Sequence, residues 1–260
     1  MLLALDCGNT HMLGGVFRDG ELLFKFRKSS RNQSTSDEIG IFLKSIMREN
    51  NVNLGEIRKF AVCSVVPDIT YSACQSAVKY FSLEPFVLRP GVKTGLNLKY
   101  KNPSEIGADR IANAIGAFAL YGNKNMIVVD MGTATTFCII SAQKEYLGGM
   151  IMPGIKISME SLARETAKLP RVEIIKPEKM EGKTTIDAIQ CGLYYSNYHA
   201  IKGICAEIKK AYFPERSVIS IGTGGYSKIF EGENLFNHVN QELVLWGINA
   251  AVQMNMEAKK

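Results

Sequence analysis

Short apolar segments that end in a polar turn recur along the chain. The first is residues 2–10, LLALDCGNT, where apolar residues lead into Asp6, Gly8 and Thr10. A short apolar run is typical of a buried strand, and the glycine lets backbone N–H groups approach an anion. Asp6 would then be placed to hold a hydrated magnesium ion. Taken alone, the segment is equally compatible with an ordinary hairpin turn.

The same pattern returns in the second half of the chain. Residues 126–136, MIVVDMGTATT, repeat the apolar run and follow it with Asp130, Gly132 and Thr133. Two strand–Asp–x–Gly turns about half a chain apart predict two similar lobes that face each other across a phosphate. A third apolar run, VISIGTGG at 218–225, ends in paired glycines that would leave room for an adenine ring.

The remaining apolar periodicity predicts an α/β protein. Strands are expected at residues 11–17, 21–26, 60–66, 85–88 and 146–152, and helices at 39–47, 69–81, 111–118, 157–169, 184–212 and 242–256. Three adjacent strands followed by alternating helices and strands favour a mixed sheet with flanking helices. The repeated motif places the lobe boundary near 123, giving lobes at 1–122 and 123–260. Residues 93–103 are predicted to form a loop.

Composition narrows the class of protein. The 260 residues are 46% hydrophobic and 22% charged, which is typical of a globular protein. The net charge of +6 is spread along the chain, so it does not indicate a nucleic-acid partner. No apolar run reaches the length of a membrane span.

Six cysteines without a CxxC pair are expected to be buried thiols of a reducing compartment. With a strand predicted at the very start, we expect a cytoplasmic protein without a signal peptide.

Two adjacent charged residues mark the start of a predicted helix. Asp109 and Arg110 follow Gly107 and precede a helical apolar pattern. The aspartate there is interpreted either as a residue that satisfies the helix start or as a base for a substrate hydroxyl, with Arg110 beside it for an anionic group. The sequence leaves both interpretations open.

The motifs together resemble a known enzyme family. DCGNT, DMGTATT and IGTGG are similar to the phosphate-1, phosphate-2 and adenosine motifs of the acetate and sugar kinase/Hsp70/actin superfamily. Within it, YKNPSEIGADRIANA, GGMIMPGIKISMESL and GKTTIDAIQCG resemble the type III pantothenate kinase family. That resemblance spans residues 2 to about 246. It implies duplicated ribonuclease H-like, actin-like ATPase lobes with mixed sheets flanked by helices.

The resemblance also implies roles for individual residues. ATP binding is expected at Asp6, Cys7, Gly8, Asn9, Thr10, His11, Met12, Leu13 and Thr133. Pantothenate binding is expected at Tyr100, Gly107, Ala108, Asp109, Arg110 and Thr185. Asp109 would be the catalytic base, Asp6 would contact Mg²⁺ through water, and Asp130 would bind a monovalent cation, K⁺ or NH₄⁺.

The implied reaction is ATP-dependent phosphorylation of pantothenate, the first step of coenzyme A biosynthesis, by a homodimer in which Thr185 serves the neighbour's substrate. An aromatic flank on the helix after Thr185, with Tyr194, Tyr195 and Tyr198, is interpreted as core packing or as a dimer contact. A transcription accessory protein on the same scaffold, and a kinase for a sugar or short acid, are the alternatives. Retention of all three aspartates, Asp6, Asp109 and Asp130, favours the pantothenate kinase.

Overall fold

The computed structural model describes residues 1–30 and 34–256. The helices are α1 Ser36–Glu49, α2 Pro67–Phe81, α3 Ala108–Tyr121, α4 Ile155–Glu165, α5 Thr185–Tyr212 and α6 Leu243–Met256. The strands are β1 Leu2–Cys7, β2 His11–Arg18, β3 Glu21–Ser29, β4 Lys59–Ser64, β5 Phe86–Val87, β6 Asn97–Leu98, β7 Asn125–Met131, β8 Ala134–Ile140, β9 Glu145–Pro153, β10 Val218–Thr223 and β11 His238–Val239. Within these described residues, no helix has the length and apolarity that crossing a bilayer requires.

The described residues form two compact units. The first comprises Met1–Leu96, Lys101–Leu120 and α6, and the second comprises Asn97–Tyr100 and Tyr121–Glu242. The predicted lobes at 1–122 and 123–260 differ from these units in the placement of α6, of residues 97–100 and of residues 121–122. A functional division into two lobes stays a prediction. Within the first unit, α6 packs its Trp246 edge-to-face on Phe17 of β2, with ring centroids 5.4 Å apart.

The first unit is built on a five-stranded sheet in the order β3-β2-β1-β4-β5. Strands β1, β2 and β3 are antiparallel neighbours, whereas β4 and β5 continue the sheet in parallel. Helices α1 and α2 cover one face, where Leu3, Leu5 and Val62 lie in a buried apolar cluster. Helix α1 starts at a capping box in which Thr35 and Glu38 satisfy each other's backbone N–H groups.

The second unit repeats this topology. Its six-stranded sheet contains the order β9-β8-β7-β10-β11, with β7, β8 and β9 antiparallel and β10 and β11 parallel, and β6 is added beside β9. The mixed α/β class and the duplicated sheet are therefore confirmed. Two element predictions were wrong in detail. The expected loop at 93–103 contains β6, and α4 ends at Glu165 rather than near 169.

A close crossing of α3 and α6 positions the start of α3 within the first unit. A Cβ on Gly116 would overlap the carbonyl of Leu243, and one on Gly247 would overlap the carbonyl of Ala112. Backbones can approach this closely only where side chains are missing. The absence of side chains at these two glycines therefore lets α3 pack closely on α6. Helix α3 carries Asp109 in its first turn.

Candidate active site

The β1–β2 connection is a tight turn that follows Asp6. The N–H of Gly8 donates to the carbonyl of His11 at 3.1 Å, and Asp6 is half-buried near the end of β1. A single carboxylate at such a position fits Mg²⁺, which keeps several waters and usually binds one or two carboxylates together with substrate phosphates. Cys7 and Met12 have buried side chains in the core. Their contacts with a nucleotide would therefore use backbone atoms.

Asp109 lies in the first turn of α3 and is half-buried. Its Oδ1 accepts the backbone N–H of Arg110 at 2.8 Å, so the aspartate does satisfy the helix start, as one interpretation of the sequence holds. Burial raises the pKa of Asp109, while the Arg110 N–H and the Arg110 charge act in the opposite direction. Because the net shift is upward, the carboxylate is a stronger base than an exposed aspartate.

Gly107 and β4 confine this carboxylate. A Cβ on Gly107 would overlap Oδ1 of Asp109 and lie 3.7 Å from Cγ1 of Val65, just beyond the end of β4. Arg110 is itself buried, with an exposed fraction of 7%. The carboxylate of Asp109 therefore occupies the space that a side chain on Gly107 would fill, near Val65.

In the second unit, Asp130 lies against two glycine turns. A Cβ on Gly224, whose φ is +82°, would overlap Oδ1 of Asp130 and lie 2.7 Å from the carbonyl carbon of Met131. A Cβ on Gly132 would lie 3.5 Å from the same Oδ1. The DMGTATT and IGTGG turns, predicted independently from the sequence, thus meet at one carboxylate because β7 and β10 are parallel neighbours.

Backbone carbonyl oxygens of the DMGTATT turn lie close to Gly154. A Cβ on Gly154 would overlap the carbonyl oxygen of Thr133 and lie 2.8 Å from that of Gly132. Carboxylate and carbonyl oxygens are the donors that hard cations prefer. Among the described residues, no group of three or more His, Cys, Asp or Glu side chains could hold a metal ion. A cation at Asp130 would therefore depend on backbone and hydroxyl oxygens as well.

The last two predicted substrate residues also lie in the second unit. Tyr100 packs edge-on against Tyr146, with ring centroids 6.3 Å apart. Thr185 is exposed at the start of α5 and lines a groove of about 790 Å³ between α4 and α5, together with Ile157, Leu162 and Ile189. The residues that line this groove do not include Asp130, Thr133 or Tyr100.

The aromatic flank of α5 is mainly core. Tyr194 has an exposed fraction of 2% and stacks on Phe230, with ring centroids 5.0 Å apart. Tyr195 and Tyr198 are half-buried against the same cluster. The core interpretation is therefore correct for Tyr194, while Tyr195 and Tyr198 pack on the same cluster with part of each residue exposed, and a dimer contact there stays a prediction.

Comparison with known proteins identifies the family. The family model described as type III pantothenate kinase matches residues 2–207. The chain belongs to the type III pantothenate kinase family. Relatives named type III pantothenate kinase include one from Legionella pneumophila, 51% identical over 98% of this chain and 99% of its own length, and one from Elusimicrobium minutum, 44% identical over 98% and 99%. Type III pantothenate kinase 1 of Francisella tularensis is 45% identical over 98% of this chain and 100% of its own length.

Solved structures show the same fold at low identity. A Campylobacter jejuni protein described as a Baf family transcriptional activator aligns with a TM-score of 0.58 at 22% identity, covering 98% of this chain and 99% of its own. An activator of 2-hydroxyisocaproyl-CoA dehydratase from Clostridium difficile, with bound ADPNP, aligns with a TM-score of 0.54 at 13% identity, covering 99% and 95%. At these identities the likeness shows the fold alone, so it does not favour a regulatory role.

Sequence reasoning missed one residue beside the predicted acids. The sequence predicts Cys63 only as a buried thiol, and Cys63 has no exposed surface; five of the six cysteines are buried. It also lies opposite Asp6 in the parallel register of β1 and β4. No signal in the sequence links residues 6 and 63, because their contact follows from the pairing of β1 with β4.

Proposed function

We propose that this chain transfers the γ-phosphoryl group of ATP to the primary hydroxyl of pantothenate, giving 4′-phosphopantothenate and ADP in the first step of coenzyme A biosynthesis. The observation that carries the proposal is the near full-length match to type III pantothenate kinases at up to 51% identity. The raised pKa of Asp109 at the confined start of α3 supports the same chemistry.

In the proposed reaction, Asp109 accepts the proton of the pantothenate hydroxyl while that oxygen attacks the γ-phosphorus. The bond from phosphorus to the β,γ-bridging oxygen breaks, and ADP leaves with that bond's electron pair. Arg110 N–H holds Asp109 Oδ1 in place and Gly107 leaves room for it, so the carboxylate needs little reorganisation. Bound Mg²⁺ supplies neutralisation of phosphate charge.

We assign the remaining predicted roles to groups in each unit. In the first, Asp6 and the turn 7–13 bind the magnesium and phosphates of ATP. In the second, Thr133 contacts phosphate and Asp130, with nearby carbonyl oxygens, binds K⁺ or NH₄⁺. Pantothenate contacts Tyr100, the Gly107–Arg110 segment and Thr185.

An ADP-release assay tests the reaction and the cation together. We expect ADP release from MgATP to require pantothenate, and to fall at least tenfold when potassium is replaced by sodium, because a cation of the wrong size leaves phosphate charge less well neutralised. A panel of sugars and short hydroxy acids serves as the acceptor control. Turnover with another acceptor but not with pantothenate would contradict the function, and equal rates in both salts would contradict the potassium site.

The exposed apolar surface supports a homodimer. Seven of the fifteen large apolar side chains that are exposed among the described residues fall within residues 150–186, including Ile151 and Met180 with exposed fractions of 66% and 69%. Two of the seven, Ile157 and Leu162, line one groove together with Thr185, and apolar side chains grouped at one surface are typical of an interaction site. Thr185 lies in the same segment, next to exposed Ile186, which fits a residue that reaches a neighbour's substrate.

Light scattering after size exclusion checks this surface. We expect the wild type to have the dimer mass and Ile151→Asp to have the monomer mass with reduced turnover, because a buried unpaired charge opposes association. Ile41→Asp is the matched control, since Ile41 is 58% exposed on α1 in the first unit. A monomeric wild type, or an Ile151→Asp chain that remains dimeric, would refute this interface.

A further inference from the structure

Two backbone carbonyls of the IGTGG turn accept hydrogen bonds from one side chain. Nε2 of Gln241 donates to the carbonyl of Gly224 at 3.3 Å and to that of Gly225 at 3.1 Å. A primary amide has two N–H donors, so a single glutamine can hold both carbonyls at once. The side chain of Gln241 therefore ties the two paired glycines to the segment that follows β11.

The pairing of β10 with β11 brings Gln241 to this turn. The two strands are parallel, and their register pairs Gly222 with Val239. The N–H of Asn240 continues the ladder by donating to the carbonyl of Gly222 at 2.9 Å. Because parallel neighbours end at the same edge of a sheet, the residue after Asn240 reaches the turn that follows β10.

The two glycines depend on Gln241 to different degrees. The carbonyl of Gly224 also accepts the N–H of Ser227 at 3.3 Å and its hydroxyl at 2.8 Å, and Ser227 has no exposed surface. Gly225 is exposed, and its carbonyl accepts from Gln241. Loss of the amide should therefore loosen Gly225, while Ser227 keeps Gly224 in place beside Asp130.

We infer that Gln241 is a positioning residue that fixes the Gly225 side of this turn as a surface for the adenine of ATP. The inference rests on the proposed function, which has ATP as the phosphoryl donor. Glycine has no Cβ, so a flat ring can lie directly against its backbone. A backbone that is already held in one orientation favours binding, because ordering a free glycine at that moment costs conformational entropy.

Calorimetry with two magnesium-bound ligands tests this role without using turnover. MgADP carries adenosine and phosphates, whereas magnesium tripolyphosphate carries phosphates alone. We expect Gln241→Met and Gln241→Glu to weaken MgADP binding about tenfold, since each removes both hydrogen bonds. Tripolyphosphate binding should stay within about twofold of wild type, because the proposed phosphate contacts at 7–13 and Thr133 do not involve Gln241.

The two substitutions separate hydrogen bonding from packing. Methionine keeps the length of the side chain without a donor. Glutamate keeps nearly the same shape, but its carboxylate only accepts hydrogen bonds and would face two carbonyl oxygens. A residue that merely fills space should therefore tolerate Gln241→Glu, whereas a donor should not.

Steady-state kinetics adds a second readout. The KM for ATP should rise about tenfold in both variants, while kcat and the KM for pantothenate should change less than about threefold, because Gly224 and Asp130 keep their places. Gln190→Met is the matched control. Nε2 of Gln190 donates to the carbonyl of Glu173 at 3.0 Å in the same unit, and its loss should leave MgADP affinity unchanged.

Two results would overturn the inference. Wild-type MgADP affinity in Gln241→Glu would identify Gln241 as a packing residue only. Equal losses of affinity for MgADP and tripolyphosphate would indicate a general disturbance of the nucleotide site rather than an effect at the adenine. A chain whose Gln241 variants bind both ligands as expected but which does not phosphorylate pantothenate would refute the proposed function and leave the role of Gln241 standing.

Discussion

Replacing Asp109 by asparagine is expected to lower pantothenate-dependent turnover about a hundredfold or more while the fold and MgATP binding persist. Asparagine keeps the size of the side chain and can still accept the Arg110 N–H, so the first turn of α3 should remain intact. It cannot accept the substrate's proton. Steady-state kinetics and calorimetric nucleotide affinity separate these effects, and near wild-type turnover would remove Asp109 from the role of base.

The pH dependence of the wild type provides a second readout of Asp109. Since only the ionised carboxylate accepts a proton, kcat/KM should fall as the pH falls through the pKa of Asp109. Burial raises that pKa, so the fall should occur above the usual aspartate range. In Asp109→Asn the residual activity should lack this acidic limb. An identical limb in both proteins would assign it to another group.

We expect Asp109→Asn to raise the free energy of unfolding at neutral pH although it lowers turnover. A carboxyl whose folded pKa is raised opposes folding at neutral pH, and this penalty is relieved as the pH falls from the folded pKa towards the unfolded value. Asp109→Asn removes the penalty, so we expect the variant to unfold a few degrees above wild type at neutral pH. The difference should shrink below about pH 4, where both states of the wild type are protonated.

Gly224→Ala is expected to impair the second unit's turn and to cost about a hundredfold in turnover. The positive φ of Gly224 alone should cost about 1–2 kcal/mol for alanine. Its Cβ would also overlap Oδ1 of Asp130 and lie 2.8 Å from the backbone nitrogen of Met131, so the Asp130 carboxylate must move. Thermal unfolding and MgATP-dependent turnover measure the two consequences.

Gly122→Ala is the control that separates backbone strain from this overlap. Gly122 has a φ of +73°, close to that of Gly224, but a Cβ there would meet nothing within 4 Å. We expect Gly122→Ala to lower the unfolding temperature slightly and to leave turnover unchanged. If the two variants lose equal stability and both stay active, the contact between Gly224 and Asp130 has no functional importance.

Local sequence was informative where neighbouring residues decide the structure. The apolar runs before Asp6 and Asp130 form β1 and β7, and the Asp19-Gly20 turn joins β2 to β3 with both residues at positive φ. Thr184 accepts the N–H of Asp187 and starts α5, as its position before the apolar period predicts. These features depend on contacts within a few residues, which a single sequence displays directly.

The sequence by itself determined the α/β class, the repeated strand–Asp–Gly turns and the resemblance on which the site residues depend. Tertiary structure alone decided that α6 joins the first unit, that Tyr194 lies in a core, and that Cys63 lies beside Asp6. The physical reason is separation along the chain. Residues 6 and 63 meet only because β1 pairs in parallel with β4 across an intervening hairpin and helix, and strand order is set by the packing of whole elements.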